Sequence, residues 1–172
     1  MTVSTEDLGA SLRALFVHAH RMERGTAARY RQLADMMEVH NNPDLVQLFR
    51  RMAEIEGLHV HKVESLCRSM DIDIGADGAG VGDGGEIPDF EDMHYLHRPF
   101  HALMLARSYE ERAVLFYQRI AEEAEDDALR RAAMALAAEE RRHMEELDTW
   151  LARYPRPEDG WDEDPDPPAV QD

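Results

Sequence analysis

Apolar residues recur at helical spacing along four stretches of the chain. In the first, Leu12, Leu15, Phe16, Ala19, Met22, Thr26, Tyr30, Leu33 and Met37 share one face, the stripe of an amphipathic helix and not the alternation of a strand. Ser4 or Thr5 can cap its start, with Glu6 and Asp7 in the first turn where negative charge is favoured, and it should end near His40. Asn41-Asn42-Pro43-Asp44 is turn chemistry, with Asn42 placed to cap and Pro43 at the first position of a second helix. That helix carries Leu45, Leu48, Phe49, Met52, Ile55, Leu58, His59, Lys62, Val63 and Leu66 and should reach about Met70. So short a turn makes the two helices antiparallel neighbours.

At Asp71 the pattern stops. From there to about Arg98 the chain holds six of its ten glycines, mixed with aspartates and Pro88. A connection of that length inside a compact domain needs a reason, and a crossover running from one end of a bundle to the other supplies it. Pro99 suits the first turn of a third helix, which reads Leu103, Leu105, Ala106, Tyr109, Ala113, Phe116, Tyr117 and Ile120 and stops at Glu125-Asp126-Asp127. Asp127 can cap a fourth, running from Ala128 through Leu129, Ala132, Ala133, Leu136, His143, Leu147 and Trp150 to about Tyr154. The expected fold is an all-α antiparallel four-helix bundle over residues 1–154, with a crossover at about 71–98 between the second and third helices. Residues 155–172 form an acidic, proline-rich tail too poor in apolar surface to repay its ordering entropy, with Trp161 as the residue able to dock back.

Composition sharpens this picture in three places. Hydrophobic residues at 44% and charged residues at 32%, with only 7% aromatics, suit helices better than a β-sandwich core. A formal net charge of −17 repels phosphate backbones and anionic membrane surfaces, so nucleic acid and membranes are not expected partners. Cys67 is the single cysteine, which excludes an intrachain disulfide or a Cys-x-x-Cys knuckle and fits a reducing, cytoplasmic setting. The apolar run Leu12 to Val17 follows Glu6 and Asp7 and meets His18, His20 and Arg21, which is neither a secretion signal nor a membrane span.

Two helices carry the same charged motif on an otherwise apolar face: Glu56-Gly57-Leu58-His59 and Glu140-Arg141-Arg142-His143. Residues three apart share a helix face, so each pair can aim an oxygen and a nitrogen at one point. The other two helices each hold a glutamate seven residues before a tyrosine, Glu23 before Tyr30 and Glu110 before Tyr117, close to two turns and therefore facing the same way. A single Glu-x-x-His in a charged helix is usually a solvated pair. Two copies on alternate helices, each preceded by a glutamate and a tyrosine at matching spacing, instead describe two hairpins whose six ligands meet around one cavity. Four buried carboxylates would repel one another at a cost of several kcal/mol unless cations cancel their charge. Carboxylate with imidazole suits iron or manganese, and the lack of thiolates argues against a structural zinc site. Glu54, Glu111 and Glu139 stand beside the chosen acids but lack their spacing.

These residues resemble the ferritin-like superfamily, and the segments Met22-Glu23 to Tyr30 and Tyr109-Glu110 to Tyr117 look most like rubrerythrins, a likeness covering roughly residues 8 to 154. The resemblance implies two iron ions, with manganese or zinc able to occupy the site in purified protein. It implies Glu56 and Glu140 as bridging ligands, His59 and His143 as terminal ligands, and Glu23 and Glu110 as terminal carboxylates. Tyr30 and Tyr117 would donate hydrogen bonds to ligand carboxylates and so orient them, their plainer reading being core packing with a satisfied hydroxyl. The implied activity is oxidoreduction of the ferroxidase or peroxidase type: oxidation of Fe(II) and/or reduction of dioxygen or hydrogen peroxide, in a homodimer whose helix pairs could be exchanged across the long connection. Two departures stand out. No four-cysteine rubredoxin module is present, so electrons must come from a separate donor. Ala113 stands where rubrerythrins carry an extra carboxylate, which puts the iron movement linked to that ligand in doubt.

Other signals carry less. His94, His97 and His101 have the spacing of one helix face, but Pro99 sets the first two at or before the helix start, which favours a surface role. The stretch from Asp71 to Gly82 lacks the glutamate and the glycine of a calcium loop, and Gly80-Val81-Gly82 lacks the strand and helix of a dinucleotide site. Cys67 reads as a buried structural thiol, Met36-Met37 as core filling, and His18, His20, His40 and His61 as solvent or core residues. Two other classes of function remain beside the redox reading: iron storage without turnover, and a metal-free helical scaffold.

Overall fold

The computed structural model describes residues 5–75 and 98–158, and side chains from Arg13 onward. Ser4, the stretch containing Gly80-Val81-Gly82, Pro88, His94 and His97, and the tail beyond Glu158 with Trp161 lie outside the described residues. Four helices follow in order: α1 (Thr5–Val39), α2 (Pro43–Ser69), α3 (Pro99–Glu123) and α4 (Asp127–Leu151).

Local chemistry sets the helix ends. Asn41 turns the chain with a φ of 53°, a left-handed conformation that asparagine tolerates better than most residues. Asn42 then caps α2, its Oδ1 accepting the Leu45 N–H at 3.2 Å, while its Nδ2 donates to the Tyr154 hydroxyl at 3.2 Å and so ties this turn to the segment after α4. Pro99 opens α3, and His101 Nδ1 accepts the Arg98 N–H at 3.0 Å. That histidine therefore serves the helix start. The cap of α4 is Asp126, not the expected Asp127: Asp126 Oδ1 takes the Leu129 N–H at 2.7 Å, and Asp127 is the first helical residue, paired with Arg130. The helix also stops at Leu151, short of Tyr154, because the chain continues as turn.

α1 packs along α2 and α3 along α4, and the two hairpins meet more lightly through α1 and α3. The buried side chains divide into two apolar clusters. One joins Tyr30, Leu33, Met37, Leu45, Phe49, Met52, Leu103, Tyr109 and Leu147; the other joins Phe16, Ala19, Met22, Val63, Cys67, Ala113, Tyr117, Ile120, Leu129, Ala133 and Leu136. Burying a leucine of this kind contributes roughly 1.5–3 kcal/mol, so both clusters hold the hairpins together. Leu58 departs from the expected inward stripe of α2 and is 60% exposed, since its neighbour His59 takes the inward face and one residue along a helix turns about 100°.

Candidate metal centre

Between the two apolar clusters lies a layer of carboxylates. Glu23 from α1, Glu56 from α2, Glu110 from α3 and Glu140 from α4 are all buried to within 1% of completely, and His59 is buried equally, while the His143 side chain keeps 12% of its exposure. One residue thus comes from each of α1 and α3 and two from each of α2 and α4. The structure brings all six together.

They form two groups sharing Glu56 and Glu140. Glu23, Glu56, His59 and Glu140 offer ligand atoms within 4.8 Å of one another, and so do Glu56, Glu110, Glu140 and His143. His59 Nδ1 stands 2.8 Å from Glu140 Oε1, 3.4 Å from Glu56 Oε2 and 3.7 Å from Glu23 Oε2. His143 Nδ1 stands 3.0 Å from Glu140 Oε2, 3.3 Å from Glu110 Oε2 and 3.5 Å from Glu56 Oε1. The two imidazoles stack, with centroids 5.5 Å apart. Glu56 Oε1, Glu140 Oε1 and His59 Nδ1 are buried without a hydrogen bond of sound geometry. Buried polar atoms are rarely left so, and three of them converging is the donor arrangement a cation completes.

The tyrosines cross between hairpins. Tyr30 of α1 donates its hydroxyl to Glu110 of α3, and Tyr117 of α3 donates to Glu23 of α1. Each phenol holds one carboxylate oxygen and leaves the other to face the centre. Glu139 lacks the spacing of a ligand, yet its Oε2 lies 2.9 Å from His59 Nε2 and also binds Lys62. A hydrogen on Nε2 leaves the Nδ1 lone pair free toward the cluster. Ala113, one turn beyond Glu110, is buried in the second apolar cluster and offers no ligand atom.

Burial and mutual repulsion govern protonation in this layer. Desolvation, together with the charges of Glu140 and Glu56, pushes Glu23 up to about 8 against the pull of His59. Desolvation and Glu56 drive Glu110 well above the usual carboxylate range. Glu140 goes the other way, to about 2, because the two histidines beside it outweigh its own desolvation. His143 rises to about 11 and His59 rises further, their surrounding carboxylates overcoming the burial that opposes it.

No family model matches the chain, and no curated protein does either. Among solved structures, the crystal structure of an uncharacterized conserved protein from Magnetospirillum magnetotacticum MS-1 is 35% identical, over 84% of this chain and 95% of that one, with a TM-score of 0.69. The chain belongs to that protein's family. Its fold is a ferritin-like four-helix bundle with two buried, clustered Glu/His groups able to chelate a pair of metal ions.

His18, His20 and His61 have partners other than the six clustered residues. His20 is buried against Glu64 at 3.0 Å, His61 reaches the same carboxylate from the exposed side at 3.3 Å, and His18 packs on Phe116. Cys67 is a free, buried thiol. Among the described residues no helix is long and apolar enough to cross a membrane.

Proposed function

We propose that this protein is a diiron-carboxylate redox protein, rubrerythrin-like in its site, that oxidises Fe(II) and/or reduces dioxygen or hydrogen peroxide. The observation that carries the reading is the pair of groups sharing Glu56 and Glu140, with converging oxygen and nitrogen atoms that lack hydrogen bonds. Six residues would hold the ions: Glu56 and Glu140 between them, Glu23 with His59 on one, Glu110 with His143 on the other. Oxygen and imidazole donors without thiolate favour iron or manganese. When bound, an iron pair supplies two electrons to an oxidant. This chain's own residues do the rest. Tyr30 and Tyr117 orient the terminal carboxylates, and the apolar clusters above and below exclude water from the layer.

Ala113 supplies no third carboxylate for an ion to move onto, which favours a fixed pair of positions. With Cys67 the single cysteine of these 172 residues, a four-thiolate centre is not built from them, and reducing electrons come from outside them. The bundle of residues 1–154 is the working domain and residues 155–172 are its appendage.

The test is anaerobic loading with Fe(II), elemental analysis, and rapid mixing with each oxidant. Two irons per chain, oxidised on mixing with loss of the ferrous state, support the reading. Glu56→Ala with Glu140→Ala should abolish both loading and oxidation; bound metal unchanged in that variant sinks it.

A further inference from the structure

Superposing the Glu-x-x-His segments of α2 and α4 sets Glu140 on Glu56 and His143 on His59. The residue before each glutamate then breaks the symmetry. Before Glu140 stands Glu139, whose carboxylate holds His59 Nε2 at 2.9 Å and is itself held by Lys62. Before Glu56 stands Ile55, an apolar side chain packed against the first cluster, and among the described residues no carboxylate holds His143 Nε2. The position after the second histidine differs in the same sense: Lys62 follows His59 by three residues, whereas Glu146 follows His143 by three and pairs with Arg51. Exposure runs in parallel, with His59 sealed at 1% and His143 open at 12%.

A carboxylate on the outer N–H of a ligating imidazole fixes its tautomer and ring orientation and makes it a stronger donor, commonly by 10–100-fold in metal affinity. We propose that the two metal positions are unequal, and that Glu139 is the positioning residue that makes the His59 position the retentive one, leaving the His143 position to exchange its ion. The inference rests on the dimetal reading above. Under it, Glu23, Glu56, His59 and Glu140 form the site that fills first and empties last. The position built on Glu110 and His143, nearer solvent and without an anchoring carboxylate among the described residues, is where an ion enters and leaves.

The test uses the full chain and Co(II), whose visible absorption reports its coordination, with affinities read by calorimetry. Wild-type protein should take up two Co(II) in two steps, the first at least about tenfold tighter. Glu139→Ala should weaken the tighter step by about 10–100-fold and move the weaker one by less than about twofold. Glu139→Gln, whose amide oxygen still accepts the N–H, should recover part of the loss. His143→Ala should keep the tight step and His59→Ala lose it. In Co(II)-loaded protein, proton NMR should show one paramagnetically shifted N–H that exchanges slowly with solvent, absent from Glu139→Ala. Glu139 is partly exposed and on the bundle surface, so a folding defect is separable by helical circular dichroism of the metal-free variant. Two equal binding steps in wild type, or equal weakening of both steps by Glu139→Ala, overturns the proposal. Binding of no Co(II) by a folded wild type overturns the dimetal reading instead, and the proposal with it.

Discussion

Metal loading should release protons, and the number is legible in the cluster. A ligand must offer a lone pair, so every proton resting on a donor atom leaves when a cation arrives. At pH 7 the metal-free layer holds protons on His59 and His143, both raised, and on Glu23 at about 8, while burial and the charge of Glu56 push Glu110 in the same direction. Glu140, lowered to about 2, holds none. Two divalent ions should therefore displace at least about three protons per chain, one each from His59, His143 and Glu23. The overall affinity for the pair should rise steeply, by about a thousandfold between pH 6 and pH 7 if those three leave. Above pH 8 Glu23 arrives already ionised, and the slope should fall by about one. The assay is direct: Mn(II) or Co(II) is added to unbuffered protein in a pH-stat and the base consumed is counted, with calorimetry in buffers of different ionisation enthalpy as a second count. Release of one proton or fewer would refute the reasoning, since the carboxyls and imidazoles would then be bare before any metal came.

Three other outcomes follow from the same geometry. Stability of the metal-free protein should fall as pH rises from 5 to 8: the folded state keeps a proton on Glu23 up to about 8 that the unfolded chain surrenders near 4.5, which costs about 1.4 kcal/mol per pH unit between those values. Urea titrations across that range check it, and a rising midpoint would contradict it. Tyr30→Phe or Tyr117→Phe removes a buried donor from Glu110 or Glu23 and should weaken Co(II) binding by about 10–100-fold at the position fed by that carboxylate, with fold and melting curve little changed outside the bound state. Leu103→Ala, at a fully buried site in the first cluster, should lower unfolding free energy by about 2–5 kcal/mol in denaturant titration and leave metal stoichiometry at its wild-type value.

How far the sequence carried differs from element to element. Asn42-Pro43 and Pro99 mark helix starts because cap and first-turn preferences are properties of a few adjacent residues, and α2 and α3 begin there. The choice between Asp126 and Asp127 was not legible, since adjacent aspartates are equivalent as caps until the approach of the chain fixes which one flanks the helix. Periodicity placed Glu23, Glu56, His59, Glu110, Glu140 and His143 on inward faces, because face is set by spacing within one helix. Partner choice is not. Nothing in the spacing said that Tyr30 would reach Glu110 and Tyr117 would reach Glu23, crossing from one hairpin to the other. Glu139 was passed over for the same reason: its worth comes from an imidazole on a different helix, 80 positions away.

The light meeting of the hairpins has a mechanical meaning. Helices α1 and α2 grip each other, as do α3 and α4, but the halves touch chiefly along α1 and α3, and each half brings three of the six converging side chains. A cation held jointly by Glu56 and Glu140 would then work as a rivet through two plates, fastening the halves at mid-height where apolar contact gives way to acid. Emptied, the same plates would be joined by packing, by the two crossing tyrosine hydrogen bonds and by ion pairs between α2 and α4, so loading with metal would register as added stiffness of the whole rod as well as colour at its centre.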